Sequence, residues 1–175
     1  MMWRTHVLFG ISSLWLLAPL PPQSLSYDFG TLAACAALGA LLPDLDASES
    51  KVKHLKLMGT ELKPFMLPAQ IVSRTSQHRG LLHSLAGLGM VAALGLPSLW
   101  WLGWSPIVCL LLGYLSHLVA DSMTKSGLLW LYPSPKRYNL LPSPLRVTTG
   151  SAAEEVFMSG FALASFALLL AQMKL

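Results

Sequence analysis

His117 and Asp121 stand four residues apart in a stretch otherwise free of charge, and on an α-helix that spacing points both side chains the same way. An imidazole nitrogen and a carboxylate on one helix face are a standard pair of metal ligands. The same two groups hydrogen-bonded to each other would instead only fix helix packing. Neither is easily satisfied among apolar neighbours, so partners have to come from elsewhere in the chain. Candidates stand at the borders of the other apolar stretches: His6 before the first, Asp44 and Asp46 after the second, His78, Arg79 and His83 at the third, and Glu154 and Glu155 at the last.

Each candidate has an alternative. His78 and His83 are five residues apart, about 140° around a continuous helix, so they share a face only if the helix begins between them. His83 is the better ligand, one turn inside the third helix, with His78 and Arg79 at the mouth of the site as proton donor and anion clamp; a surface pair near lipid phosphates is the other option. Asp44 and Asp46 flank Leu45 after Pro43, and in an extended segment both carboxylates leave the same side. They repel unless a cation or proton lies between them, although Asp46-x-x-Glu49 also has the spacing of a helix-capping box. Ser151-x-x-Glu154 has the same ambiguity, and Glu155 suits a helix N-terminus on charge alone. His6 could be a terminal polar residue, and His54 sits among lysines as a solvated side chain.

Imidazoles mixed with carboxylates suit Zn²⁺, with Mn²⁺ and Fe²⁺ as options. Cys35 and Cys109 lie inside apolar helices away from these residues, which excludes a thiolate site and implies no disulfide. Six or seven candidate donors exceed one tetrahedral site and point to two ions, a pairing that activates water and clamps a phosphoryl group.

The elements that position these residues belong to a membrane. The chain has 175 residues, of which 11% are charged and 54% hydrophobic, with a mean hydropathy of +0.56. A soluble domain carries about a quarter charged residues. Asp, Glu, Lys and Arg are absent over 5–27, 29–43, 80–120 and 156–173. The 80–120 stretch is long enough for two spans of about 20 residues, broken near Pro97 to Pro106 by Trp100, Trp101 and Trp104, the aromatic group expected at a lipid–water boundary. The expectation is one all-α domain over 1–175, a polytopic bundle of about five helices: His6 to Pro19, Phe29 to Leu42, two from about Gly80 and Pro106, and Val156 to Met173. The first two are short for a full crossing. Pro19, Pro21, Pro22 and Gln23 offer no signal-peptidase site after the first.

With the N-terminus inside, five spans place eleven of the twelve basic residues on the cytoplasmic side and leave only Lys174 outside, as positive loops require. That topology brings the acids and imidazoles to the cytoplasmic end of every helix, while the opposite ends offer little beyond Asp28. The formal charge of +4 then reflects orientation and anionic lipid, and no nucleic-acid-binding motif is present. Between the second and third helices, Val52, Leu55, Met58 and Leu62 recur among lysines, the pattern of a basic amphipathic surface helix or a solvated loop. Pro133, Pro135, Pro142 and Pro144 make the last connection rigid and irregular. Gly87, Gly89 and Gly95 would permit close helix packing.

Taken in order, Thr5-His6-Val7-Leu8-Phe9-Gly10, Leu42-Pro43-Asp44-Leu45-Asp46, His78-Arg79-Gly80-Leu81-Leu82-His83-Ser84 and Gly113-Tyr114-Leu115-Ser116-His117-Leu118-Val119-Ala120-Asp121 resemble the YdjM-like family of bacterial membrane-bound, metal-dependent hydrolases. Thr124, Gly127, Pro133 and Gly150-x-x-x-Glu154 extend the resemblance over roughly 3–157. The family is in turn distantly similar to the zinc-dependent phospholipase C and single-strand nuclease superfamily of helical enzymes. The resemblance implies that His6, Asp44, His83, His117, Asp121 and Glu154 fall on ligand-like positions. It departs at Leu82, where a Thr is expected whose hydroxyl would orient a ligand, and at Ala47, where a further His is expected. The implied protein is a bacterial inner-membrane enzyme acting on a phosphoester such as a lipid head group, with Arg79 stabilising charge and Asp46 or His78 moving the proton. The competing expectation is a non-enzymatic protein that binds a metal, or a haem between His83 and His117.

Overall fold

The computed structural model describes residues 1–20, 24–46, 55–57, 60–62 and 80–173. Its helices are α1 (Trp3–Ser12), α2 (Phe29–Leu41), α3 (Leu85–Gly95), α4 (Leu99–Leu102), α5 (Ser105–Ser122) and α6 (Ala152–Met173). A 3₁₀ turn, Leu96–Ser98, joins α3 and α4 into one apolar rod, Leu85–Leu102. The expected set of about five helices is therefore present. Three rods, Leu85–Leu102, Ser105–Ser122 and Ala152–Ala171, are long and apolar enough to cross a membrane.

Local chemistry sets the boundaries. α1 stops sooner than expected and continues as a 3₁₀ turn, Ser13–Leu17, because the Ser13 hydroxyl donates to the Gly10 carbonyl over 2.6 Å and competes with the α-helical pattern. Asp28 caps α2, accepting from the Thr31 N–H at 3.0 Å and the Thr31 hydroxyl at 2.6 Å. These bonds hold its carboxyl below the ordinary carboxylate range. Ser84 caps α3, its hydroxyl accepting from Gly87 N–H. His83 consequently precedes α3 on a separate 3₁₀ turn, Leu81–His83, instead of lying one turn inside the helix.

Two other expectations are corrected. The segment after Pro43 is a 3₁₀ turn, Leu42–Asp46, and not extended. Residues two apart in such a turn are about 240° around its axis, so alternation does not place Asp44 and Asp46 on one side. In the basic connection, strands β1 (Leu55–Leu57) and β2 (Thr60–Leu62) pair antiparallel, with Leu55 opposite Leu62 and Lys56 opposite Glu61. This strand pair stands where an amphipathic helix or a solvated loop was expected. Leu55-Lys56-Leu57 alternates with the period of a strand, and Gly59 disfavours a helix running through it. His54 and the rest of that connection lie outside the described residues.

α5 is the central helix, packed against α1 and α2, while α3, α4 and α6 expose most of their apolar surface. Outward-facing Leu94, Trp100, Trp101, Val156 and Leu163 are the surface a bilayer covers. Glycine sets the spacing at the centre. A Cβ on Gly39 would lie 1.9 Å from the Leu110 carbonyl oxygen, one on Gly113 would lie 1.9 Å from the Ala36 carbonyl oxygen, and one on Gly10 would meet Ala40 at 2.8 Å. Backbone thus touches backbone where α1, α2 and α5 cross, as small residues allow between membrane helices. Of the glycines singled out by sequence, Gly87 is closely packed too, a Cβ there meeting the Tyr114 hydroxyl at 2.5 Å and the Leu81 carbonyl oxygen at 2.6 Å, while Gly95 faces Ile107 and Gly89 has open space. At the opposite end Gly103, with φ of 66°, turns α4 into α5 beside the exposed tryptophans.

Candidate metal centre

Close packing of α1, α2 and α5 gathers the polar residues at one end of the bundle. His6 comes from α1, Asp44 from the turn ending α2, His83 from the turn before α3, and His117 and Asp121 from the last turns of α5. Of their side chains, those of His6, His83, His117 and Asp121 are 0–3% exposed, and Asp44 is 29% exposed.

The donor atoms converge. His83 Nε2 lies 3.4 Å from Asp44 Oδ1, 3.4 Å from His117 Nε2 and 3.9 Å from Asp121 Oδ2. His117 Nε2 lies 3.8 Å from Asp121 Oδ2 and 3.9 Å from Asp44 Oδ1, and His6 Nε2 lies 3.4 Å from Asp121 Oδ1. The His6 ring stacks on His117 with centroids 3.7 Å apart. Two overlapping trios, His6–Asp44–His117 and His83–His117–Asp121, each bring one donor atom per residue within 4.8 Å of the others.

His117 shows which way the cluster is wired. Its Nδ1 is 2.7 Å from the Ala40 carbonyl oxygen, and a carbonyl only accepts, so Nδ1 carries the proton and Nε2 of the neutral ring presents a lone pair to the cluster. Second contacts of this kind orient metal-binding histidines. Nδ1 of His6 is buried without a hydrogen-bond partner among the described residues. Met1 supplies a positive neighbour, its ammonium donating to Asp121 Oδ1 over 2.7 Å. Two carboxylates and three imidazoles facing one another in an almost dry space carry excess lone pairs, and a divalent cation satisfies such a set. The residues present fit a metal ion.

Tyr114, one turn before His117 on α5, donates its hydroxyl to the Leu82 carbonyl at 2.5 Å. That bond ties the His83 turn to the helix carrying His117 and Asp121. Neither it nor the Ala40 carbonyl is evident from residue chemistry. A usable signal was the glycine one turn deeper than the polar residue, Gly10 after His6 and Gly113 before His117.

Glu154 is the one expected ligand among the described residues that is not brought into either trio. Fully buried, it accepts from Met2 N–H at 2.5 Å and the Thr5 hydroxyl at 3.0 Å on Oε1, and from Gly150 N–H at 2.7 Å on Oε2. It ties the start of α1 to the turn before α6, and so positions His6. The capping half of its ambiguity is also present, since Ser151 Oγ accepts from Glu154 N–H at 3.4 Å. His78 and Arg79 lie outside the described residues. For Asp46 the backbone closes the 3₁₀ turn, and its side chain is outside them too.

A model of the family described as YdjM inner membrane protein matches residues 1–174. The chain is 32% identical over 162 residues to the uncharacterized protein YvsG of Bacillus subtilis, covering 93% of this chain and 90% of that protein. It is 32% identical over 140 residues to the inner membrane protein YdjM of Escherichia coli, covering 77% of this chain and 67% of that one, and equally to YdjM of Shigella flexneri. No solved structure matches. The match across nearly the whole length establishes that the chain belongs to the YdjM family of inner membrane proteins.

Proposed function

We propose that this chain is a multi-pass inner-membrane hydrolase that holds a divalent metal, zinc by preference, at His6, Asp44, His83, His117 and Asp121, and cleaves a phosphoester at the cytoplasmic face. The convergence of His83 Nε2, His117 Nε2, Asp44 and Asp121 within 3.4–3.9 Å carries this reading. When bound, the ion supplies a Lewis acid and an acidified water. The two trios share His117, and Ala40 occupies its other nitrogen. The two oxygens of Asp121, Oδ1 toward His6 and Oδ2 toward His83 and His117, would also suit a carboxylate shared between two ions.

The protein's own groups have separable tasks. His117, locked by Ala40, keeps its lone pair aimed at the cluster, and Asp121 neutralises positive charge from below. Asp44, the most exposed donor, marks the side from which substrate arrives. Arg79, just before the His83 turn in sequence, clamps the anionic substrate, and Asp46 or His78 moves the proton. The cytoplasmic end is favoured because eleven of twelve basic residues then lie inside. Purified protein loaded with zinc and offered bis-p-nitrophenyl phosphate and glycerophospholipids tests the reading. Turnover lost in both His117→Ala and Arg79→Ala, with metal lost only in the first, is expected; absence of turnover on every phosphoester contradicts it.

One observation favours a second reading. Four of the donors are almost fully buried, as in closed structural metal sites, so the ion could serve only to tie α1, α2 and α5 together. Metal retention without hydrolysis distinguishes it. A haem between His83 and His117 is disfavoured by the Asp44 and Asp121 carboxylates, which stand 3.4–3.9 Å from both Nε2 atoms where a porphyrin would have to lie.

A further inference from the structure

The connection between α5 and α6 does more than join two helices. It leaves α5 at the end that carries the metal cluster and is stitched down by backbone bonds: Leu140 N–H to Ser122 O at 2.9 Å, Lys125 N–H to Val147 O at 3.0 Å, and Leu128 paired with Tyr138 in both directions. So anchored, it presents a fixed surface. Between 122 and 153 the chain holds Lys125, Lys136, Arg137 and Arg146 and no acidic residue. Leu131, Leu140 and Leu145 are 55–63% exposed on the same connection. Trp130, Leu131, Tyr138, Asn139 and Leu140 line an open hollow of about 390 Å³. At its rim the Lys136 ammonium stands 5.3 Å from the Tyr138 ring centroid, and exposed Arg137 is next in the chain.

A connection that only had to stay in water would not expose three leucines beside an aromatic hollow. One that only had to set orientation would need the charges and not the hollow. The combination matches the two halves of a phospholipid at the bilayer boundary: an anionic phosphate that pairs with Lys and Arg, and a glycerol–acyl region that lies against Trp, Tyr and Leu. We infer that the 123–150 connection is a docking site for an anionic phospholipid, its phosphate on Lys136 and Arg137 and its apolar shoulder in the Trp130–Tyr138–Leu140 hollow. The site rests on membrane residence and on charge complementarity. It does not depend on hydrolysis, so the two can fail separately.

The test is lipid retention by the full-length, detergent-purified protein, read by native mass spectrometry after exchange against phosphatidylglycerol or phosphatidylcholine. Metal content and helix content are recorded beside it. The wild type is expected to retain phosphatidylglycerol over phosphatidylcholine, and Lys136→Glu with Arg137→Glu to lower that preference by about tenfold or more, with metal and helix content unchanged. The milder Lys136→Gln with Arg137→Gln, at exposed positions, is expected to lower it less and serves if the reversal misfolds. Leu140→Asn is expected to weaken retention of both lipids. Equal retention of the two lipids by the wild type would overturn the proposal. So would charge variants that keep the wild-type preference, which would move the contact to the basic 51–79 segment.

Discussion

His117 donates Nδ1–H to the main-chain carbonyl of Ala40 over 2.7 Å, across the crossing of α5 and α2. The contact exists because Gly113 and Gly39 let α5 and α2 approach until backbone meets backbone. The orientation of one imidazole is therefore set by glycines a turn away from it. Metal chemistry at one end of the bundle and helix packing through its middle are one structural problem.

Gly113→Ala is expected to separate the two consequences of that packing from ordinary helix propensity. Its Cβ would sit 1.9 Å from the Ala36 carbonyl oxygen, and overpacking of this kind costs on the order of 1–3 kcal/mol or more. Gly89→Ala meets nothing within 4 Å and is expected to be neutral or to stabilise by up to about 1 kcal/mol. Thermal unfolding in detergent checks both. Equal stability of the two variants would remove glycine packing as the cause of the geometry.

Asp44 offers a sign reversal. With metal removed, its partly buried carboxylate keeps the His83 and His117 imidazoles, 3.4 and 3.9 Å away, but loses the bound cation. Asp44→Asn is therefore expected to raise the melting temperature of chelator-treated protein relative to chelator-treated wild type. It should lower it in zinc-supplemented buffer, where the wild type gains stability by binding. Melting curves with and without chelator decide the matter, and the same sign in both would argue against a cation at Asp44.

Tyr114→Phe removes the hydroxyl that holds the Leu82 carbonyl at 2.5 Å. A lost buried hydrogen bond costs about 1–3 kcal/mol, and a disturbed ligand support weakens metal affinity by roughly 10–100-fold. Competition with a chromogenic chelator is expected to show the weaker affinity with stoichiometry preserved at saturating zinc. Unchanged affinity would mean the His83 turn is held by other contacts.

Much of the site was legible because ionisable residues are costly among apolar ones. His6, Asp44, His83, His117 and Asp121 stood out by position, and the structure brings all five together. Glu154 was ambiguous because one spacing, Ser151-x-x-Glu154, serves a cap and a ligand position equally. Its oxygens turn out to bind Met2, Thr5 and Gly150, partners distant in sequence that no local pattern announces. The extended Asp44–Asp46 pair failed for a local reason, since Pro43 stops α2 but leaves the conformation of the next residues open. The glycines of the central crossing were missed for a related reason: a glycine's value depends on the backbone opposite, and Gly39 and Gly89 look alike in sequence while only one faces a carbonyl.

Glu154→Ala should act on stability and not on ligation. It strands the buried Thr5 Oγ1 and frees the half-buried Met2 N–H and the exposed Gly150 N–H, at about 1–3 kcal/mol for the buried group left unsatisfied. The folded fraction is expected to keep its metal. Metal loss from protein that remains folded would return Glu154 to the ligand set.

Metal content decides most directly. Inductively coupled plasma mass spectrometry on detergent-purified protein, never exposed to chelator, would compare wild type with His117→Ala and Asp121→Ala, with helix content verified for each. The cluster of three imidazoles and two carboxylates predicts near-stoichiometric zinc, manganese or iron in the wild type and its loss from both variants. A folded wild type without metal would contradict it and leave the histidines and carboxylates as a polar network that packs helices.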